Sequence, residues 1–137
     1  MKNRNLNHKD DWATPRDFYD KLNDEFNFDF DPCPFMHDMS WNWLIVEWWN
    51  SNFINPPYCI LLKTAFVKRA IEESKKWKTC VMLLPVSTST KLFHEYILPN
   101  NKEIRFIKWR LKFSWYNTKW EFVDSKCGMH DSMIVIF

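Results

Sequence analysis

Four consecutive residues, Asn55-Pro56-Pro57-Tyr58, combine groups that could hold a neutral amine. The two prolines fix the backbone and remove two N–H donors, so the peptide offers carbonyl acceptors and the Asn55 side-chain oxygen. Acceptors in a stiff turn suit an amine that donates hydrogen bonds, and the Tyr58 ring gives a planar group a face on which to stack. The same residues would also serve as a plain Pro-Pro turn at the end of a strand.

A second candidate site is the basic stretch over residues 102–119, which carries six cations against one acid, Glu103. Its cations are Lys102, Arg105, Lys108, Arg110, Lys112 and Lys119, and the rings of Trp109, Phe113, Trp115 and Tyr116 lie between them. Cations beside stacking rings are typical of nucleic-acid binding, although a solvated edge strand would carry similar lysines. Four of the cations are our candidates for phosphate contacts: Arg105, Lys108, Arg110 and Lys112.

Charge is distributed unevenly along the 137 residues, although the net charge is only +2. Residues 1–60 carry ten acids and five bases, a net −5, whereas residues 61–137 carry a net +7. One end therefore suits a cation and the other a polyanion, although two ordinary solvated surfaces would give the same totals.

Composition excludes several classes of protein. The single glycine, Gly128, excludes the glycine-rich loops that cradle phosphates, and no apolar run approaches the roughly 20 residues that span a bilayer. The cysteines have no zinc-binding spacing and the N-terminus has no secretory signal, so we expect reduced thiols, no metal and a cytoplasmic protein, in the host cytoplasm if it is viral. We expect one domain over residues 11–137 after a flexible tail over residues 1–10.

The first helix and strand have clear signals. Thr14 before Pro15 predicts a capped helix start, and the apolar residues that follow recur every four positions at Phe18, Leu22 and Phe26. Residues 26–31 then alternate between phenylalanine and polar residues, which predicts a strand over residues 28–31 with three phenylalanines on one face.

The remaining elements follow in alternation. Helices are predicted over residues 62–70 and, capped within residues 87–90, over residues 92–97. Strands are predicted over residues 52–54, 79–84 and 132–137, and residues 103–115 are predicted to form two strands or one bent strand. Helices between strands predict an α/β domain with a mostly parallel sheet. Such sheets bind ligands beyond the carboxyl ends of their strands, which is where the strand over residues 52–54 delivers Asn55.

Several segments together resemble one enzyme family. Asn55 to Tyr58 resembles motif IV of the S-adenosylmethionine-dependent methyltransferases that modify exocyclic amines. Further matching segments, in the family's order, are residues 12–15, 28–33, 83–85, 104–107, 110–113 and 131–137. The set spans about residues 11–137 and resembles the small phage-type DNA N6-adenine methyltransferases of the Dam family.

This resemblance implies a compact Rossmann-like class I methyltransferase core without a separate target-recognition domain. It implies S-adenosylmethionine as cofactor, DNA as partner, and methylation of the adenine N6 amine on a flipped-out base. The residues it nominates for catalysis are Asn55, Pro56, Pro57 and Tyr58. Those it nominates for cofactor binding are Trp12, Thr14, Pro15, Asp31, Pro32 and Cys33, and the acid Asp31 suits a cationic cofactor.

Other functions share these features. Cytosine N4, an RNA base or a glutamine amide could be the methylated amine, and a nucleic-acid-binding remnant without activity would keep the same fold. The chain departs from the family's pattern at Pro34, Asn42 and Trp109, where alanine, an Asp-Gly-Leu segment and glycine are usual. A short recognition sequence, loose specificity and help from a second copy in a homodimer all stay open.

Overall fold

The computed structural model describes residues 13–33, 44–57, 59–116, 121–124 and 130–137, and the predicted tail over residues 1–10 lies outside them. Its helices are α1 (Arg16–Phe26), α2 (Ile60–Ser74) and α3, which is a π-helix over Leu92–Ile97 that continues as an α-helical turn over Leu98–Asn100. Its strands are β1 (Ser51–Ile54), β2 (Thr79–Pro85), β3 (Glu103–Phe106), β4 (Ser114–Tyr116), β5 (Phe122–Asp124) and β6 (Ser132–Ile136). The α/β class predicted from the sequence is confirmed.

Four of these strands form one sheet in the order β1-β2-β6-β3. The β1–β2 ladder is parallel, whereas β6 pairs antiparallel with both β2 and β3. Strands β1, β2 and β3 therefore run in one direction and β6 runs in the other. The sheet is mixed because the chain leaves β3 and enters β6 at the same edge, where Phe106 pairs with Met133. A mostly parallel sheet was the expectation, and only the β1–β2 ladder among these pairings is parallel.

The segment over residues 28–31 lies beside β1 but forms no regular strand. Phe30 makes a single parallel bridge to Asn52, and its N–H and carbonyl bond to Ser51 and Phe53. The prediction that three phenylalanines share one face is wrong. Phe26 ends α1, Asn27 takes a left-handed φ of 48°, and Phe28 and Phe30 pack against different cores. The turn at Asn27 breaks the alternation that the sequence pattern indicated.

Both faces of the sheet are covered by apolar side chains. One core packs Met82 and Leu84 of β2 against α2 and α3, and the other packs Val81 and Leu83 against Leu22 of α1. Successive side chains of a strand point to opposite faces, so a strand buried on both reads as a continuous apolar run. The apolar run predicted for β2 is therefore explained by helices on both sides.

The predicted cap of the first helix is wrong, and that of the third is confirmed. The capping position of α1 is Pro15, and no side chain caps this helix start. In α3, by contrast, Thr90 Oγ1 accepts a hydrogen bond of 3.2 Å from the N–H of Phe93. Thr14 therefore does not have the helix-capping role that its sequence context predicts.

A buried carboxylate fixes the edge of the sheet at which β1 and β2 begin. Glu73 of α2 is fully buried and forms ion pairs with Arg69, Lys76 and Lys78 at 2.9, 3.1 and 2.7 Å. The Arg69 guanidinium also donates to the carbonyls of Leu44 and Val46. Burial alone would raise the pKa of Glu73, but hydrogen bonds from the three cations outweigh it and lower this pKa to about 2.

We expect Glu73→Gln to destabilise the fold by about 3–5 kcal/mol, because it leaves the largely buried cations of Arg69 and Lys78 without their counter-charge. The depressed pKa adds stability above the unfolded value of 4.5 that is lost as the pH falls toward 2. The difference in free energy of unfolding between wild type and Glu73→Gln, measured with urea, should therefore decrease as the pH falls from 5 to about 2. Glu72→Gln, an exposed neighbour on α2, is the control; a difference that does not change with pH would contradict the assignment.

Candidate active site

The carboxyl ends of the three codirectional strands and of the Phe30 segment meet at one edge of the sheet. Asp31 follows Phe30, Asn55 follows β1, and the loop over residues 107–113 follows β3. At this edge Pro85 of β2 pairs with Ser132 of β6, whose carbonyl accepts from the N–H of Ile107. The structure therefore brings the predicted amine-binding peptide, the predicted cofactor acid and the start of the basic loop to the same side.

The Asn-Pro-Pro peptide is buried. Asn55, Pro56 and Pro57 are all buried, and the Asn55 side chain donates through Nδ2 to Thr14 Oγ1 at 3.1 Å. This bond joins residues 41 positions apart in the chain. Tyr58, the fourth residue of the predicted motif, lies outside the described residues.

Thr14 is held from both sides. Ala13 forms an antiparallel bridge with Ser114 of β4, with hydrogen bonds of 2.8 and 3.3 Å, and the carbonyl of Pro15 accepts from Tyr19 N–H in α1 at 3.0 Å. The segment predicted to bind a cofactor thus lies against Asn55. Trp12, the first residue of that segment, lies outside the described residues.

Asp31 forms a tight turn directly after the Phe30 bridge. Its Oδ1 accepts a 2.9 Å hydrogen bond from Cys33 N–H, and both Pro32 and Cys33 are buried. Burial raises the pKa of Asp31 from 3.8 to about 6, and the bond from Cys33 only partly offsets this. Among the described residues no cation forms an ion pair with Asp31.

Arg105, a predicted phosphate contact, forms ion pairs with two carboxylates of this chain. Its guanidinium donates to both oxygens of Glu25 in α1 at 2.7 and 2.6 Å and to Glu103 at 2.8 Å. It also lies 5.5 Å from the centroid of the Phe26 ring. These hydrogen bonds lower the pKa of both Glu25 and Glu103 and raise the pKa of Arg105. The side chain joins α1 to β3, and a phosphate contact would have to draw it away from Glu25.

Three of the predicted contacts are more open to solvent. Lys108, Arg110 and Lys112 are exposed, Arg110 pairs with Asp131 at 3.1 Å, and the Lys108 ammonium lies 5.3 Å from the centroid of the Trp109 ring. Trp109 is 80% exposed.

Trp109 takes a left-handed backbone with φ 67°. Glycine adopts this region freely, whereas a side chain there costs about 1 kcal/mol. The left-handed backbone at this position therefore explains why glycine is usual there in the resembled family. Trp77, at the opposite edge before β2, has the same features, with φ 65° and 97% exposure.

Two features of this edge have no signal in the sequence. The Ala13–Ser114 bridge and the Thr14–Asn55 bond depend on the packing of distant segments, and a Thr-Pro pair before a helix indicates a cap far more readily. Within the described ranges, no group of three potential metal ligands comes together and no helix is long and apolar enough to cross a membrane. Cys33, Cys59 and Cys80 are free thiols.

Comparison with known proteins shows which family the chain resembles. The family model described as DNA N-6-adenine-methyltransferase (Dam) matches residues 2–137. A DNA N-6-adenine-methyltransferase of Haemophilus phage HP1 is 35% identical over 132 residues, which is 88% of this chain and 70% of the phage protein. No solved structure matches the chain significantly.

Proposed function

The chain belongs to the DNA N-6-adenine-methyltransferase (Dam) family of enzymes, and on that premise we propose that it methylates the exocyclic N6 amine of adenine in DNA with S-adenosylmethionine as methyl donor. The observation that carries the proposal is the buried Asn55-Pro56-Pro57 peptide at the same sheet edge as Asp31. The Asn55-Pro56-Pro57 peptide suits an amine that donates hydrogen bonds, and the Asp31 carboxylate suits a cation. Together they match the two reactants of an amine methylation.

The strand arrangement supports a compact Rossmann-like class I methyltransferase core. The Phe30 segment, β1, β2 and β3 run in one direction, with the reversed β6 inserted between β2 and β3. An α/β sheet of this kind binds its ligands beyond the carboxyl ends of the codirectional strands. Asp31 and Asn55 both occupy that position.

The residues around Asp31 fit a cationic cofactor. Burial disfavours ionisation of the Asp31 carboxyl group, so a positive partner would stabilise its charged form strongly. No described cation pairs with this carboxylate. S-adenosylmethionine supplies a methyl group on a positively charged sulfonium and also carries an amino group. Asp31 would hold one of these two charges. Pro15, Pro32, Cys33 and the backbone at Thr14 would form the remaining wall, and the family resemblance adds Trp12 to the residues proposed for cofactor binding.

We expect binding of S-adenosylmethionine to weaken as the pH falls through about 6, because Asp31 is then protonated, and Asp31→Asn to weaken binding and remove this dependence. Calorimetry from pH 5 to 8 measures both effects. S-adenosylhomocysteine, which lacks the sulfonium charge, separates the two partners: its affinity keeps the pH dependence only if Asp31 binds the amino group.

The free protein gives an independent check of Asp31. Its raised pKa adds stability at low pH that is lost as the pH rises through about 6, so Asp31→Asn should raise Tm at pH 8 and leave it unchanged near pH 3.5. Equal effects at both pH values would contradict the buried-carboxyl assignment.

Asn55 would act on the amine of adenine. That amine is a poor nucleophile because its lone pair is delocalised into the ring. Hydrogen bonds from the amine to the Asn55 side chain and the Pro56 carbonyl would orient it and favour a tetrahedral nitrogen. The bound cofactor would supply the methyl group: the methyl–nitrogen bond would form as the methyl–sulfur bond breaks, and the methylated nitrogen would lose its extra proton to water. An amide is no strong base, so Asn55 positions the amine and takes no proton from it. A duplex adenine must first flip out of the stack, and Tyr58 would then stack on it.

Asn55→Ala should lower methyl transfer at least about a hundredfold, on the order of 3 kcal/mol, while Tm and S-adenosylmethionine affinity stay close to wild type. The measurement is tritiated-methyl transfer to unmethylated DNA, followed by analysis of the labelled nucleoside. Asn52→Ala is the matched control. Asn52 lies on the same strand, and its side chain bonds to the Trp49 N–H and carbonyl and to the Thr79 carbonyl, so its loss should lower Tm instead. Label on cytosine would overturn the adenine assignment.

The loop over residues 107–113, in which residues 108–110 and 112 are exposed, is the part of the basic stretch best placed to contact DNA. It begins at the edge that carries Asn55, and the exposed side chains of Lys108 and Lys112 are compatible with phosphate contacts, with Trp109 beside them for stacking. Phosphate contacts by Arg105 and Arg110 stay predictions, since both side chains form ion pairs with carboxylates of this chain.

Replacing Lys108 and Lys112 together by alanine should weaken DNA binding and flatten its salt dependence by about one unit of slope for each phosphate that the variant no longer neutralises. The control is Lys21→Ala with Lys75→Ala, which removes the same charge from exposed positions outside the basic stretch. Fluorescence anisotropy of labelled DNA at low and at moderate salt is the measurement. Equal effects of the two pairs would leave only net charge as the cause and refute the proposed phosphate contacts.

Trp109→Gly and Trp77→Gly extend the same prediction. Both substitutions relieve the same left-handed backbone, so neither should lower Tm, and only Trp109→Gly should weaken DNA binding. A matching decrease in DNA affinity in Trp77→Gly would contradict a role for the Trp109 ring in binding.

A further inference from the structure

The side chain of Thr14 lies where it can control the orientation of Asn55. Its Oγ1 accepts the 3.1 Å hydrogen bond from Asn55 Nδ2, and it caps no helix. An amide side chain is planar, with its oxygen and nitrogen on opposite arms. Fixing the nitrogen on Thr14 therefore fixes where the oxygen lies. An acceptor on the nitrogen opposes exchange of the two ends of the amide by rotation about the terminal bond.

We infer that Thr14 is a positioning residue, whose hydroxyl holds the Asn55 amide in the orientation in which its oxygen can accept a hydrogen bond from the target amine. This inference rests on the proposed function, because it assigns Asn55 the role of amine acceptor. It gives Thr14 a role in turnover, separate from the cofactor contact that the family resemblance implies for this residue.

The surroundings of Thr14 are built to keep it in place. Ala13 is bridged to Ser114 by two backbone hydrogen bonds, and Pro15 is bonded to Tyr19 at the start of α1. Pro15 has a fixed φ and no N–H, so little backbone freedom is left on the C-terminal side of Thr14. Asn55 is equally constrained, since it joins β1 to two buried prolines. Two rigid segments thus present one hydroxyl and one amide to each other.

Burial increases the effect of the hydrogen bond between Thr14 and Asn55. Asn55 is only 9% exposed and Thr14 is partly buried, so water cannot readily replace the hydroxyl as acceptor for the amide nitrogen. Removing the hydroxyl would make it easier for the amide to turn its nitrogen toward the incoming amine, where donor would meet donor. The consequence falls on the reaction step and not on the affinity for the cofactor.

The experiment compares Thr14→Val, which keeps the shape and loses the hydroxyl, with Thr14→Ser, which keeps the hydroxyl. Each full-length variant is assayed for kcat, for KM with DNA and for S-adenosylmethionine affinity by calorimetry, and its Tm is measured. We expect kcat of Thr14→Val to fall about tenfold, with cofactor affinity within about twofold of wild type, and Thr14→Ser to recover most of the loss.

A double-mutant cycle with Asn55→Ala makes the test specific. If Thr14 acts through Asn55, Thr14→Val has no further effect on kcat once Asn55 is alanine. Additive losses, failure of Thr14→Ser to recover activity, or a change confined to cofactor affinity would each overturn the inference.

A spectroscopic readout separates this inference from the proposed function. The side-chain amide signal of Asn55 in a 15N-labelled sample is identified by its loss in Asn55→Ala. It should shift in Thr14→Val and stay near its wild-type position in Thr14→Ser. Wild-type protein that transfers no methyl group to adenine would refute the proposed function. An unshifted Asn55 signal in Thr14→Val would refute the positioning role, whatever the activity.

Discussion

The parallel ladder between β1 and β2, extended by the bridge from Phe30 to Asn52, is the constraint on which the candidate site depends. Parallel strands end at the same edge, so this pairing brings Asp31 and Asn55 to one side although 23 residues separate them in the chain. The ladder is stable because its side chains are buried on both faces, with α1 on one and α2 and α3 on the other. Any slip of register would move Asn55 away from Thr14.

Two groups of ion pairs hold the layers on this sheet, and they differ in exposure. Glu73 is fully buried and satisfied by three cations, so it fixes α2 and the segment over residues 44–48 at the starting edge of β1 and β2. The Arg105 pair with Glu25 joins α1 to β3 and is partly open to water, so it contributes less. The rigid contact therefore lies away from the proposed site, and the weaker one lies beside the segments that would meet DNA.

Much of this was predictable from the sequence, because periodicity reports burial. The apolar run of β2 and the four-residue spacing in α1 each correspond to what the structure contains, and Asn55 directly follows β1 as its sequence context predicts. Local signals were wrong where packing outweighed them: Thr14 accepts from Asn55 and caps no helix, and Asn27 interrupts the phenylalanine alternation. Charge counts likewise could not show that Arg105 lies on Glu25, because a pair 80 residues apart depends on how α1 packs against the sheet.

Two energetically unfavourable local features lie at the edge of the sheet where the proposed chemistry lies. Asp31 is ionised at neutral pH against the effect of burial, and Trp109 holds a left-handed backbone with its ring in water. Each costs stability in the free protein, and each would be offset when a cation or a DNA strand binds. Trp77 shows that strain alone does not identify a site, since it has the same backbone at the opposite edge. What distinguishes Asp31 and Trp109 is that both follow codirectional strand segments at the same edge of the sheet as Asn55.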